Sequence, residues 1–270
     1  MFWITLLIIF LVLCGLYVLS TMGRRNHDGM DELARWSYAH RGLHDKTRPE
    51  NSMSAFRAAL KAGYGAELDV HLLADGNLAV IHDSDLPRTT GSEGRVEDLT
   101  TADLKKYCLE DTLESIPTLS QVLDLFDGQA PLIIELKTVD NNYAKLTQTV
   151  CKLLDTYNGP FCIESFDPRC IFWLRKNRPE LIRGQLAENF LSANSDRSWF
   201  LRFAMTHQML NFLTFPDFVA YRYHDRFTVS NLLVRNVWGV QGVSWTIRNK
   251  HEYFNAIDEE WIPIFENFEP

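Results

Sequence analysis

Between residues 40 and 83 the chain gathers the side chains that phosphoryl chemistry uses. His40-Arg41-Gly42 is followed by Pro49-Glu50-Asn51-Ser52, then Glu67-Leu68-Asp69, then His82-Asp83. Histidines carry protons, carboxylates hold a hard divalent ion, and an arginine clamps a phosphate through parallel N–H donors. The spacing narrows this further. Glu67 and Asp69 lie in the strand-like run Gly65-Ala66-Glu67-Leu68-Asp69-Val70, and side chains at i and i+2 of a strand leave the same face. Two acids aimed at one spot repel and lose solvation unless a cation lies between them. Alone, such a pair would read as a solvated strand face; here it stands beside two histidines and an arginine.

The combination resembles the glycerophosphodiester phosphodiesterase family. The resemblance is carried by His40-Arg41-Gly42, Pro49-Glu50-Asn51-Ser52, Glu67-Leu68-Asp69, His82-Asp83, Ile116-Pro117-Thr118-Leu119, Glu135-Leu136-Lys137 and Ser244-Trp245-Thr246. These motifs keep the family's order and run from about Ser37 to Glu266. The closing stretch Trp261-Ile262-Pro263-Ile264-Phe265-Glu266 stands where the family has a more glycine- and aspartate-rich ending. The resemblance implies metal-dependent hydrolysis of a glycerophosphodiester to glycerol 3-phosphate and an alcohol. In the family the adjacent glycerol hydroxyl attacks phosphorus, expels the head-group alcohol and leaves a cyclic phosphate that water opens.

A phosphodiester needs charge neutralisation on its non-bridging oxygens, a base for the attacking hydroxyl and an acid for the leaving alcohol. Glu67, Asp69 and Glu135, on neighbouring strands, suit a hard divalent ion, Mg²⁺ or Ca²⁺; zinc would call for more His or Cys. Arg41 and Lys137 supply a bidentate clamp and a point charge for phosphate. His40 and His82 form the acid and base pair, because an imidazole with an ordinary pKa of ~6.5 serves either role near neutral pH. Glu50 and Asn51 are helix-start residues that also support the site, and Trp245 is placed to pack against the glycerol carbons. The other histidines, His27, His44, His71, His207, His224 and His251, read as ordinary surface or core residues.

Those groups need a scaffold. Strands near Ser37-Ala39, Ala66-Val70, Leu132-Glu135, Phe161-Glu164, Ile182-Gln185, Phe218-Tyr221, Gly242-Trp245 and Pro263-Glu266 alternate with helical patterns, which favours a parallel sheet. The fold class expected is α/β, a TIM (β/α)8 barrel over residues 37–270, with one N-terminal transmembrane helix before it and a small insertion after strand 2. His40, Asp69, Glu135, Lys137, Glu164, Gln185, Trp245 and Glu266 all fall at the C-terminal strand ends, where this barrel keeps its active sites. Ser52 or Asn51 can cap a first helix that Gly63 ends, and Thr118 with Gln121 forms a capping box. The stretch 71–116 is too long for an ordinary βα loop of ~2–6 residues. It reads as the insertion, whose turn Asp75-Gly76-Asn77 and strand Leu78-Ala79-Val80-Ile81 deliver His82. Arg88 and Arg95 read as its polar rim. The segment Arg197 to Leu213 reads as one unusually apolar helix packed on the barrel, with part of it free to face lipid.

Residues 1–23 carry no charge, and the run from Phe2 to Ser20 meets the ~20-residue requirement of a spanning helix. No Lys or Arg precedes it, as a signal peptide would require, and Cys14 follows a leucine rather than a small residue. A retained single-pass anchor is expected, with a hydrophilic connector over 24–36. Arg24-Arg25 behind the span place the catalytic domain in the cytoplasm. The five cysteines show no paired metal or redox spacing, consistent with a reducing compartment. The net charge of −8 lies wholly beyond residue 23, which argues against nucleic acid as a partner. The expected partners are therefore the membrane and a small glycerophosphodiester or lysolipid. Two further functions remain open: lysophospholipase D type activity on lysophospholipids, and a catalytically inactive, membrane-tethered phosphate-ligand binder. Loss of a histidine or a metal carboxylate would mark the second, and none is lost.

Overall fold

The structure is a computed structural model that describes residues 1–25, 27–192 and 198–270. In chain order the strands are β1 (Tyr38–Ala39), β2 (Gly65–Leu72), β3 (Leu78–Val80), β4 (Leu132–Leu136), β5 (Phe161–Ser165), β6 (Arg183–Ala187), β7 (Phe218–Arg222), β8 (Gln241–Ile247) and β9 (Trp261–Phe265). All but β3 pair in parallel in the order β1-β9-β8-β7-β6-β5-β4-β2, and β1 pairing with β2 closes the ring. This is the eight-stranded barrel expected from the alternating pattern. β3 turns back antiparallel on β2 and opens the insertion.

The helices are α1 (Phe2–Ser20), α2 (Met30–Leu33), α3 (Met53–Lys61), α4 (Pro87–Thr90), α5 (Leu119–Phe126), α6 (Tyr143–Leu154), α7 (Pro168–Asn177), α8 (Trp199–Thr206), α9 (Asn211–Thr214), α10 (Val229–Leu232) and α11 (Lys250–Asp258). Local chemistry sets their starts. Ser52 accepts from the Ala55 N–H at 3.2 Å at the head of α3. Thr118 and Gln121 form a reciprocal capping box on α5, with distances of 3.3 and 2.9 Å.

Strand alternation divides the core. Leu68, Val70, Leu132 and Ile134 face outward to a layer that includes Phe56, Leu119, Val122 and Phe126. Tyr38, Ile133, Cys162, Phe218, Val243 and Ile262 fill the barrel, so their strand neighbours at i+2 are carried up to its mouth. Gly184 is needed at its position: a Cβ there would lie 2.1 Å from the Phe218 ring. Met30 and Leu33 of α2 join the same interior cluster and plug the base. Within residues 24–36, expected as a connector, Met30 and Leu33 are thus buried, while Arg25, Asp28, Asp31, Glu32, Ala34 and Arg35 are exposed. Arg24 donates to Asp217 and, at 3.1 Å, to the Leu181 carbonyl.

Two further expectations are corrected. β6 runs on to Ala187, so Gln185 is mid-strand instead of at the mouth. It faces outward among Pro168, Met205 and Asn211, and its amide donates to the Ser165 carbonyl at 3.0 Å. The apolar segment expected from Arg197 is two helices, α8 and α9, separated at His207–Leu210, where Gln208 takes a positive φ of 54°. Met205 is buried against the barrel, while Trp199, Phe200 and Phe212 are exposed and form the part left free of it. Arg197 itself lies outside the described residues. The insertion has its own small core, which includes Leu73, Ile81, Leu86, Val96 and Leu104. That explains how a segment so long stays folded at the barrel's edge.

Candidate active site

The strand register sets the acids side by side. Asp69 on β2 pairs with Glu135 on β4, which pairs with Glu164 on β5. Glu67 lies one step below Asp69 on the same face. Ligand atoms of Glu67, Asp69 and Glu135 lie within 4.8 Å of one another, and Glu67, Asp69 and Glu164 are each no more than 2 % exposed. Lys137 reaches across the group, its Nζ 2.9 Å from Asp69 Oδ1 and 2.7 Å from Glu135 Oε1. Arg41 enters from the β1 side, with Nε 3.2 Å from Asp69 Oδ2 and its backbone N–H donating to Glu67 Oε2 at 3.1 Å.

The expected supporting residues are in place. Glu50 Oε1 accepts from Arg41 at 2.9 Å and from Arg88 at 2.6 Å. Asn51, at a positive φ of 55°, donates to Asp69 Oδ2 at 2.8 Å. Trp245 Nε1 donates to the Ala220 carbonyl at 3.1 Å, while the ring meets Phe166 edge-on at 5.5 Å. Phe166 is backed by Phe190 at 5.9 Å, and Phe166, Leu186, Trp245 and Ile264 give the cavity an apolar side beside the polar cluster. His40, Arg41, Glu67, His82, Glu135, Lys137 and Trp245 line a single cavity, so those seven candidates converge.

Each of the two histidines rests on a carboxylate. Nδ1 of His40 is 2.7 Å from Glu266 Oε2, and Nδ1 of His82 is 2.5 Å from Asp83 Oδ1. This fixes Nδ1 as the donor and turns Nε2 toward the cavity, the arrangement that proton transfer requires. Arg88 ties Asp83 to Glu50, so the two arms of the site are one network. His71, expected to be ordinary, is part of the same support: its Nε2 lies 3.1 Å from the His82 carbonyl and its Nδ1 2.6 Å from Glu97 Oε1.

Burial shifts the charges in opposite directions. It pushes Glu67 and Glu164 well above the usual carboxyl range, with neighbouring acids adding to the effect. Glu135 rises to about 7, because burial and Asp69 together outweigh Lys137. Burial would raise Asp69 too, but Lys137 and Arg41 hold it well below its ordinary value. Burial lowers both histidines, His82 to about 4. The residues fit a divalent cation: three buried carboxylates share one point, and Glu164 Oε2 beside them is buried with no hydrogen-bond partner. Oxygen donors alone suit Mg²⁺ or Ca²⁺.

Four contributors were not among the candidates from sequence. Glu266 and Glu164 carried a signal, since both stand at strand ends. Arg88 was legible only as polar rim of the insertion and His71 as an ordinary residue, because only the folded insertion brings them to the site.

A family model described as the glycerophosphoryl diester phosphodiesterase family matches residues 40–262. A glycerophosphodiester phosphodiesterase of Caldanaerobacter subterraneus is 37% identical over 158 residues, spanning 55% of this chain and 65% of that protein. The chain thus aligns with just under two thirds of this relative's length. A lysophospholipase D of Rattus norvegicus is 28% identical over 77% of this chain and 76% of its own length. An Oleispira antarctica phosphodiesterase solved with the product sn-glycerol-3-phosphate superposes with a TM-score of 0.70 at 22% identity, covering 86% of this chain and 92% of that one. Because the matched range begins at His40 and takes in every strand that carries the carboxylate cluster, the chain belongs to the glycerophosphoryl diester phosphodiesterase family.

Proposed function

We propose that the chain hydrolyses glycerophosphodiesters to glycerol 3-phosphate and an alcohol, with His40 and His82 as the acid and base pair. The observation that carries this reading is the pair of carboxylate-backed imidazoles flanking one buried acidic cluster. Glu67, Asp69 and Glu135 would hold a divalent ion, which when bound supplies charge neutralisation to the phosphate oxygens. Arg41 and Lys137 bind those oxygens and orient the diester. One imidazole takes the proton of the glycerol hydroxyl as its oxygen bonds to phosphorus and the other gives one to the departing alcohol; water then opens the cyclic phosphate, with the imidazole roles exchanged, to leave glycerol 3-phosphate. The phosphodiester's negative charge favours the protonated form of the histidine beside it and so offsets part of the lowering caused by burial. Trp245, with Phe166, packs on the carbon side of the substrate. A turnover screen over several glycerophosphodiesters, with and without Mg²⁺ or Ca²⁺, tests the reading; no metal-dependent release of glycerol 3-phosphate from any of them sinks it.

A second reading, lysophospholipase D type activity, is favoured by the apolar side of the cavity formed by Phe166 and Trp245. Head-group release from a micellar lysolipid, compared with deacylated glycerophosphocholine, separates the two. The N-terminal helix supports single-pass anchoring. It has 19 residues, none of them buried, and rises about 28 Å at ~1.5 Å per residue, close to the hydrocarbon thickness. Arg24-Arg25, behind the helix, support a barrel on the cytoplasmic side. Degradation of the barrel by protease added to intact cells would overturn that orientation.

A further inference from the structure

We infer that the outer wall of the barrel around β7 lies on the bilayer, so that the domain rests against lipid and does not hang from α1 on a tether. This rests on the reading of α1 as a membrane anchor. The root of α1 is held on that wall: Trp238 Nε1 donates to the Val18 carbonyl at 3.1 Å and to Thr21 Oγ1 at 3.2 Å. α1 also contacts α9, and Arg24 fixes the next stretch to Asp217. The helix therefore leaves the barrel between α9, which precedes β7, and α10, which follows it.

The same wall carries exposed apolar side chains. Phe212 on α9, Leu232 on α10 and Val237 in the π-helical turn after it are all about half exposed. Trp199 and Phe200 on α8 and Phe227 before α10 extend the patch, Phe200 being 79% and Phe227 77% exposed. A bilayer is the occupant because the patch is continuous with the exit of a helix that would enter one, and aromatic side chains favour the interfacial depth reached there. Two arginines beside the patch are already engaged, as contact with lipid favours. Arg175 donates to the Phe212 and Leu213 carbonyls at 2.7 and 2.8 Å, and the Arg226 guanidinium lies 4.1 Å above the Phe227 ring. In the ring of strands β7 is four places from β2 in either direction. The insertion, with its fully exposed Leu113, is thus on the opposite wall and serves as the control.

The test uses the full chain in nanodiscs of phosphatidylcholine containing a nitroxide-labelled phosphatidylcholine. Cys14→Ala and Cys108→Ser remove the exposed thiols, and a bimane fluorophore is attached in turn to Phe200→Cys, Phe212→Cys, Leu232→Cys, Ile8→Cys and Leu113→Cys. At least about twofold quenching at 200, 212 and 232, as at 8, with none at 113, is the expected result. Quenching at 8 alone leaves the anchor standing and overturns docking, whereas no quenching at 8 overturns the anchor itself. Sites 200, 212 and 232 unquenched by lipid yet shielded from aqueous iodide would mean that a second copy covers the wall, which also overturns docking. The unsubstituted chain gives an independent measurement: a diazirine-bearing phosphatidylcholine should label peptides from 199–213 and 229–238. Labelling confined to α1 contradicts the inference.

Discussion

Nδ1 of His40, just past β1, lies 2.7 Å from Oε2 of Glu266, just past β9, so closure of the barrel assembles this dyad from the two ends of the domain. Glu266 also lies 3.7 Å from His44 Nε2, and Arg248 donates to its other oxygen at 2.6 Å. Burial would raise the Glu266 carboxyl, but the hydrogen bond from His40 and the nearby His44 and Arg248 outweigh it and keep the group ionised well below its ordinary range.

Glu266→Gln therefore removes an anion that favours the protonated form of His40. The His40 pKa falls further, and the limb of the pH–rate profile that reports it moves to lower pH. We expect a loss of about 10- to 100-fold in kcat, the scale seen when an orienting partner is removed, with substrate affinity little changed. Glu266→Asp should recover part of the rate. An unmoved pH profile in Glu266→Gln rules out the positioning role.

How much of this could be read from the chain depends on how local each signal was. The i, i+2 spacing of Glu67 and Asp69 is a property of one strand, so it identified the carboxylate pair directly. The eight strands were legible because apolar runs alternate with capped helices such as that begun by Ser52. Gln185 was misplaced because β6 continues for two residues past the expected end, and because Ile182 and Leu186 face the interior, so strand alternation turns Gln185 outward. Arg88 and His71 reach the site only through the folded insertion, and no short-range pattern encodes that approach. The break between α8 and α9 depends on the αL turn at Gln208, whose amide bonds to Asn231 from a later element.

The carboxylate cluster predicts a coupled dependence on metal and pH. Glu135 sits at about 7, and Glu67 and Glu164 are pushed up as well, against an ordinary glutamate near ~4.3. Groups raised in this way contribute stability that is full below the unfolded value and lost as pH rises through the folded value. Without a divalent ion the fold should weaken as pH rises from about 5 to about 8. Mg²⁺ or Ca²⁺ competes with those protons, so the gain in Tm on adding metal should grow over the same range. Calorimetry in two buffers of different ionisation enthalpy should register proton release. A gain independent of pH, with no proton released, contradicts the assignment. Chelation should abolish turnover, and Glu67→Gln or Asp69→Asn should cost at least about 10²-fold, above the loss typical of outer-shell partners.

His71 offers a separate test of the insertion's role. Its side chain is buried, and it links the His82 carbonyl to Glu97, which also accepts from Ser84 Oγ at 2.6 Å. His71→Ala leaves Glu97 without this partner, at a cost of about 1–3 kcal/mol. In a domain of this size that corresponds to a Tm lower by several degrees, at roughly 2–4 °C per kcal/mol. We expect kcat to fall by about tenfold because His82 loses its backbone support, while metal-induced stabilisation stays unchanged. Unaltered kcat and Tm would show that the contact carries no functional consequence.

The division of labour between the two histidines is the sharpest test of the mechanism. His40→Ala and His82→Ala should each lower kcat by about 10²–10⁴ while leaving substrate and metal affinity nearly unchanged, as expected for proton carriers. A histidine that ligated the ion would instead weaken metal binding. We propose His82 as the acid: it enters from the insertion and is the more exposed of the two, whereas His40 is held low beside Glu67 with Nε2 at 3.9 Å from Oε2. The acid becomes dispensable when the leaving alcohol is replaced by a nitrophenolate, which departs without a proton. On such a substrate His82→Ala should recover most of the wild-type rate, and His40→Ala should stay impaired because the attacking hydroxyl still needs a base. Rescue of His40→Ala with His82→Ala still inactive reverses the roles, and rescue of neither removes the simple acid and base division.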